Sequence, residues 1–275
     1  MVGFFLLLIL AWQHYPRIPK QLTLVDQQQQ YYAANCPALI DINSSSTELV
    51  LSPTFSLLNW NIYKQQKPQW KTKLTEWVKQ SDLITLQEAK YGPEFINFTQ
   101  KQALNYVQNI AFEHDGYHYG VNTLSKVMPL QVCGTRYSEP WITIPKTGLA
   151  TVYSIKKTTQ KLLLINLHGV NFTATATPLE EQVKPYLTLV KSFEGPIIIT
   201  GDFNTWNEAR TKKIIDPLIS VGFDETQFKS DQRLTFFGRP LDHVFYRGLN
   251  VVKAQSLAII ASDHSPQLVT FHFEE

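Results

Sequence analysis

Cysteine, charge and long apolar runs are all scarce in this sequence. Its 275 residues include two cysteines, Cys36 and Cys133, and no cluster of cysteine and histidine has zinc-ligand spacing, which speaks against a structural zinc site. Charged residues make up 17% and the net charge is +2, far from the basic footprint of a dedicated DNA binder. An anionic small molecule, a lipid headgroup and a nucleic acid all stay open as partners. There is no internal repeat. What is present is a 44% hydrophobic content, enough for a globular chain of one large domain or two small ones.

The longest apolar run is residues 2–12 (VGFFLLLILAW). It is shorter than the roughly 20 residues that a spanning helix needs. It has the length of a signal-peptide apolar region, but no Lys or Arg precedes it and no clear small-residue cleavage site follows. Three readings stand: an export signal or short anchor, a membrane segment truncated at its start, or a buried strand. The polar stretch that follows, with Gln27-Gln28-Gln29-Gln30 and Asn43-Ser44-Ser45-Ser46, favours export or anchoring. Arg17 and Lys20 just after the run weigh the other way under the positive-inside rule. The expected organisation is therefore an apolar segment at 1–12, a polar linker at 13–52 and one domain at 53–275. In an exported chain Cys36 and Cys133 could pair and staple the linker to the domain; in a reducing compartment they are two unrelated thiols.

The domain reads as strands and helices in alternation. Ile197-Ile198-Ile199-Thr200-Gly201-Asp202-Phe203-Asn204 is an apolar strand ending abruptly in a glycine, a carboxylate and an amide. Alternate residues share a face, so Asp202 and Asn204 emerge together, either to do chemistry or to form an Asx-turn. Phe55-Ser56-Leu57-Leu58-Asn59-Trp60-Asn61-Ile62, Leu83-Ile84-Thr85-Leu86-Gln87-Glu88 and Leu162-Leu163-Leu164-Ile165-Asn166-Leu167-His168 have the same form. Helices are expected after Pro68 and Pro93, at a capping box Thr177-Pro178-Leu179-Glu180 with Pro185 kinking or shortening that helix, and over residues 207–221. Residues 117–155, broken by Pro129, Gly134, Pro140, Pro145 and Gly148, predict meandering strands with long loops. Leu241-Asp242-His243-Val244-Phe245-Tyr246, Val251 onward and residues 267–273 close the chain.

Asn61, Glu88, His168, Asp202, Asn204 and Asp242 thus lie on or at the ends of apolar strands, and Asp263-His264 sits in a loop. Strand ends gather on one rim of a covered sheet. The oxygen donors among them suit Mg²⁺ or Mn²⁺ better than zinc, and histidines that can be protonated suit an anionic transition state.

The ordered motifs Trp60-Asn61-Ile62, Leu86-Gln87-Glu88, Asn166-Leu167-His168, Gly201-Asp202-Phe203-Asn204, Leu241-Asp242-His243-Val244 and Ser262-Asp263-His264 resemble the endonuclease/exonuclease/phosphatase superfamily. The segments 59–66, 238–249 and 261–264 resemble its YafD-like bacterial subgroup. The resemblance covers roughly residues 55–273. It implies a DNase I-like four-layer α-β-β-α sandwich, two packed β-sheets with helices outside, and a metal-dependent phosphoesterase site. Glu88 then matches the principal metal-binding glutamate, Asn61 its amide partner, and Asp263 a carboxylate near a second metal position. Asp202 matches the aspartate that aligns or deprotonates water, and Asn204 an amide for that water or a phosphate oxygen. His264 matches the histidine facing the phosphate, Asp242 the aspartate orienting it, and His168 the second histidine of the DNase and sphingomyelinase branches. The implied cofactor is Mg²⁺ or Mn²⁺, with either Asp202 or His264 as general base. The implied partner is a phosphodiester or phosphomonoester: lipid headgroup, small molecule or nucleic acid. A nuclease, or a non-catalytic phospho-ligand binder, is the alternative. Membrane association through residues 2–12 fits an exported or anchored protein; no protein partner is expected.

The remaining polar groups have plainer readings. His243 should point away from Asp242, and His114, His118 and His272 read as structural. Lys64, Lys146, Arg239 and Arg247 could contact phosphate, with solvated surface charge the default reading. Tyr63 and Trp206 either line a groove or pack.

Overall fold

The computed structural model describes residues 15–42 and 50–274. The apolar run 2–12 and the serine-rich piece at 43–46 lie outside the described residues. The chain begins with β1 (Leu24–Asp26), β2 (Tyr31–Tyr32) and β3 (Ile40–Asp41), then β4 (Thr54–Asn61), α1 (Trp70–Val78), β5 (Leu83–Tyr91) and α2 (Pro93–Lys101). Next come β6 (Asn105–His114), β7 (Tyr117–Ser125), β8 (Gln131–Ser138), β9 (Pro145–Ser154), β10 (Lys161–His168), α3 (Thr177–Ser192) and β11 (Ile197–Asp202). It closes with α4 (Glu208–Ser220), β12 (Asp224–Glu225), β13 (Thr235–Phe236), β14 (Arg239–Pro240), β15 (Asp242–Arg247), β16 (Asn250–Ser256) and β17 (Gln267–His272).

These strands form two sheets, ordered β16-β17-β4-β5-β7-β6-β1-β2 and β12-β15-β11-β10-β9-β8-β3, plus the small hairpin β13-β14. Each large sheet has a parallel pair inside it, β4 with β5 and β10 with β11. Their apolar runs are buried on both faces, as parallel strands require. Phe55 and Leu57 of the first sheet share a core with Leu162, Leu164, Ile198 and Val244 of the second. On the outer face of the first sheet Trp60 and Leu86 pack with Leu74 and Trp77 of α1 and Phe95 and Phe98 of α2. Leu179 and Val183 of α3 and Ile214 and Leu218 of α4 cover the second. The result is the four-layer α-β-β-α sandwich.

Several expectations are corrected. Residues 117–155 form three long antiparallel strands, β7, β8 and β9, with short connections. Their glycines stand where neighbours approach closely: a Cβ on Gly148 would fall 2.4 Å from the Tyr186 hydroxyl. The box at Thr177 makes no side-chain cap, Ala176 occupies the N-cap, and α3 runs on through Pro185. The described part of the segment 13–52 is no tether. β1 pairs with β6, β3 pairs with β8, and a disulfide joins Cys36 to Cys133 on β8. Among the described residues no helix is long and apolar enough to cross a membrane.

Candidate active site at the joined rims of two sheets

Both parallel pairs finish at one rim. Asn61 closes β4 opposite Gln87 of β5, and His168 closes β10 opposite Asp202, the last residue of β11. Asp202 also faces Asp242 across the antiparallel ladder to β15. Asp242 therefore opens its strand, and antiparallel direction is what brings it to this rim. Glu88 lies at an irregularity in β5, where the ladder to β7 slips between Leu86 and Ala89, with a left-handed backbone at φ 52°. Such a bulge re-aims one side chain. Gly201 has φ 146°, and a Cβ there would sit 1.9 Å from the Leu167 carbonyl oxygen. Only glycine lets β11 approach β10 this closely while delivering Asp202 to the rim.

Asp202 forms the Asx-turn with one oxygen and points the other into the gap between the sheets. Its Oδ1 accepts the Asn204 backbone N–H at 2.9 Å, an Asx-turn. Its Oδ2 accepts from the Asn61 amide at 3.0 Å, across the gap between the sheets. That oxygen also lies 3.5 Å from His168 Nε2 and 3.9 Å from His264 Nε2. Burial pushes the Asp202 carboxyl up to about 6, against the pull of His264.

The two histidines are held in opposite states. His264 Nδ1 lies 2.8 Å from Asp242 Oδ2, and Trp60 Nε1 donates to its backbone carbonyl at 3.1 Å. Burial alone would keep this ring neutral, but Asp242 and Asp202 outweigh it and push it up to about 10. His168 Nε2 lies 2.9 Å from Lys146 Nζ. Burial, reinforced by the charges of Lys146, Lys64 and His264, holds this ring neutral. The ammonium donates and the ring accepts.

Lys146 and Lys64 are not the solvated charges that their sequence context suggests. Lys64 Nζ donates to Glu88 Oε2, and Lys146 Nζ is 3.7 Å from Glu88 Oε1. Burial would raise the Glu88 carboxyl, but Lys146 and Lys64 outweigh it and hold it below the usual range. Arg239 and Arg247 are elsewhere: Arg247 donates to the carbonyls of Val221 and Val190, and Arg239 is 4.0 Å from Glu208. His243 points away from Asp242, onto Thr205 Oγ1 at 2.7 Å and Glu225 Oε1 at 2.8 Å. His118 stacks on Tyr91 and His272 meets Thr54 Oγ1 at 2.7 Å, while His114 pairs with Asp115 at 3.4 Å, all apart from the rim cluster.

Two supports have no counterpart in the sequence reading. Beneath the rim, Gln87 Nε2 donates to Asn59 Oδ1 at 2.9 Å and to Asn166 Oδ1 at 2.7 Å. Asn166 Nδ2 donates back to the Leu86 and Asn122 carbonyls at 3.2 and 3.1 Å, so this amide seam stitches the sheets together. The signal was alternation: Asn59 with Asn61, Thr85 with Gln87, and Asn166 with His168 each share one strand face. The second support is Arg210, buried on α4. It donates to the Asn204 carbonyl and to Thr173 Oγ1, both at 2.7 Å, and to the Val170 carbonyl. Asn204 Nδ2 meanwhile donates to the Gly169 carbonyl at 2.9 Å.

The oxygen donors that the resemblance assigns to a hard cation are Asn61, Glu88 and Asp263, and Asn61 Oδ1 accepts the Tyr63 backbone N–H at 3.1 Å. Asn61 and Glu88 come from adjacent strands. Asp263 is exposed on the neighbouring loop, where Ser262 Oγ donates to it at 3.2 Å. Glu88 already has Lys64 and Lys146 as charge partners. Ligand atoms of Asp202, Asp242 and His264 also lie within 4.8 Å of one another, close enough to hold a metal ion. There, however, His264 Nδ1 is engaged by Asp242 and the ring favours a proton, which makes it a poor ligand.

The sequence and the fold have counterparts among known proteins. A model of the endonuclease/exonuclease/phosphatase family matches residues 58–264. This chain belongs to that family. It is 40% identical over 257 residues to a UPF0294 protein of Vibrio cholerae, covering 93% of this chain and 89% of that one. Among solved structures it resembles the human Nocturnin catalytic domain, with a TM-score of 0.64 and 17% identity over 86% of this chain and 97% of that one. It also resembles ANGEL2, described as a 2′,3′-cyclic phosphatase, with a TM-score of 0.65 and 14% identity over 86% of this chain and 98% of that one.

Proposed function

We propose that the protein is a Mg²⁺- or Mn²⁺-dependent phosphoesterase that cleaves its ester by in-line attack of water. The observation that carries this reading is Asp202 Oδ2. One buried carboxylate oxygen meets Asn61 from the other sheet and faces both His168 and His264. Around it stand a protonated imidazole, a neutral one, two lysines and a second carboxylate cluster at Glu88.

The roles follow from the charge states. His264 is already protonated, so it serves as cation and proton donor to a phosphoryl or leaving oxygen, not as base. Asp202, ionised at neutral pH yet raised to about 6 by burial, accepts the proton from the attacking water. The water oxygen–phosphorus bond forms as the ester P–O bond breaks. His168 and Lys146 face the same space and steady anionic phosphoryl oxygens, and Asn204 closes the floor. Glu88, Asn61 and Asp263 are the residues that would hold the metal; when bound, it supplies Lewis-acid charge neutralisation at phosphoryl and leaving oxygens.

The compartment belongs to the same proposal. The Cys36–Cys133 bond suits an oxidising space, which supports export or anchoring through residues 2–12. The YafD-like assignment rests on the motifs at 59–66, 238–249 and 261–264.

The test is a metal-dependent hydrolysis screen over bis-p-nitrophenyl phosphate, DNA, RNA, sphingomyelin, inositol phosphates and polyprenyl phosphates, with Glu88→Ala and His264→Ala as blanks. Turnover with either metal that both variants lose supports the reading. No turnover of any ester, with phosphate-ligand binding retained in Asp202→Ala, makes this a non-catalytic binding member.

A further inference from the structure

Two cavities meet at Phe172, and they differ in character. One, of about 200 Å³, contains Lys64, Glu88, Lys146 and His168, the charged half of the site. The other, of about 510 Å³, is walled by Trp141, Phe172, Trp206, Phe236 and Leu241 and reaches Asn204, and among the described residues no Lys, Arg, Asp or Glu lines it. Its lip is a set of aromatic rings left in water. Trp141 is 68% exposed, Phe172 52%, Phe236 54% and Phe237 78%. Large aromatic side chains are rarely grouped at a surface with nothing to cover them.

The hairpin β13-β14 shows how deliberately one of these is displayed. Phe236 pairs with Arg239, so Phe237 and Gly238 are the two turn residues, with φ 49° and 74°. A turn of this kind favours Asn-Gly, and a bulky residue at its first position carries a steric cost. The local backbone therefore gives no reason for phenylalanine at 237. Phe237 instead stands edge to face with Phe236 of the cavity wall, ring centroids 4.7 Å apart.

We propose that the ester is amphiphilic, a phosphoester bearing a long aliphatic chain, with its phosphate among Lys64, Lys146 and His168 and its chain in the aromatic cavity. This rests on the phosphoesterase reading for the phosphate half. The chain half stands on the absence of charge in the cavity lining. A polynucleotide would need cations along its backbone path, and this lining offers none. Aromatic rings at a lip also sit well at a lipid–water boundary, where such an ester is presented.

The test compares p-nitrophenyl methyl phosphate with p-nitrophenyl octyl phosphate, both below aggregation, with Mg²⁺ or Mn²⁺. Each methylene taken out of water is worth up to about fourfold, so kcat/KM should rise at least about tenfold from methyl to octyl. Trp141→Ser, Phe172→Ser and Phe236→Ser should each cut the octyl/methyl ratio at least about fivefold. Val252→Ser, an exposed apolar residue on β16, should leave the ratio unchanged. A flat chain-length dependence with the methyl ester still cleaved overturns the proposal and spares the phosphoesterase reading. Turnover of an oligothymidylate that exceeds the octyl ester and is lost in Phe172→Ser also overturns it, because stacked bases would then be the occupants. Calorimetry with octyl phosphate against methyl phosphate separates the two readings. Tighter binding of the octyl compound that depends on Trp141 and Phe172 upholds the chain subsite even if no ester is hydrolysed. Equal binding refutes it.

Discussion

At the scale of single residues, the proton on His264 is the pivot. Asp242 Oδ2 at 2.8 Å fixes the ring by Nδ1 and leaves Nε2 facing Asp202. Asp242→Asn keeps the shape but removes the charge that offsets burial. The expected result is a fall in kcat of about 10²- to 10⁴-fold, the range seen when the orienting carboxylate of a catalytic dyad is neutralised, with a smaller change in KM. An unchanged kcat in a folded variant would mean that His264 does not work as an imidazolium. A second carboxylate allows a pH test away from the rim. Burial would raise Glu225, but His243 and Arg233 outweigh it and hold it low. A depressed carboxyl contributes stability above its unfolded pKa of about 4.3 and loses it as pH falls through the folded value. The melting-temperature gap between the protein and Glu225→Gln should therefore be widest near pH 7 and close below about pH 4. A gap that widens on acidification would reverse the sign. The residues hardest to read in advance were Lys64 and Lys146. Nothing near either in the chain marks a lysine as paired, because the Glu88 carboxylate that both approach belongs to another element.

At the scale of elements, the strands that carry chemistry were legible because each is an apolar run with a polar end. That pattern gave β4, β5, β10 and β11 and the helices α1, α2 and α4 close to their observed limits. The edges were not legible. β1 and β3 are only three and two residues long, in a segment whose glutamines and serines look like linker. They hold by pairing with β6 and β8 and by the Cys36–Cys133 bond, all long-range terms that local composition does not register. The bond closes a loop with a sequence separation of 97, which in the chain-entropy account is worth up to about 5 kcal/mol. In a domain of this size that corresponds to a melting temperature roughly 10 °C lower after reduction. Scanning calorimetry of oxidised protein, with and without reductant, measures it. Two titratable thiols and no shift would remove the bridge and, with it, a main support for export.

At the scale of the whole molecule, the site exists only because two sheets are locked in one relative position. Their contact is mostly apolar, and apolar contact alone tolerates sliding. The amides of Gln87 and Asn166 do not, since Gln87 of one sheet bonds Asn166 of the other, and Asn166 also donates to the Leu86 and Asn122 carbonyls across the gap. Polar pairing across a core fixes relative position where apolar packing does not, even though Gln87 Oε1 has no partner among the described residues. Asn166→Leu takes one of its two acceptors from Gln87 Nε2 and removes the side-chain donor to the Leu86 and Asn122 carbonyls. The cost should be about 2–4 kcal/mol by urea unfolding, more than packing a leucine in the same space recovers. The sharper consequence is catalytic. Asn166 touches neither Asp202 nor the cavity, yet the Asn61–Asp202 bond spans the same inter-sheet gap. A shift of well under an ångström there misplaces the water-directing oxygen. Below its unfolding midpoint Asn166→Leu should thus lose at least about tenfold in kcat while KM holds. If kcat were retained at the measured loss of stability, apolar packing alone would be setting the distance between the sheets.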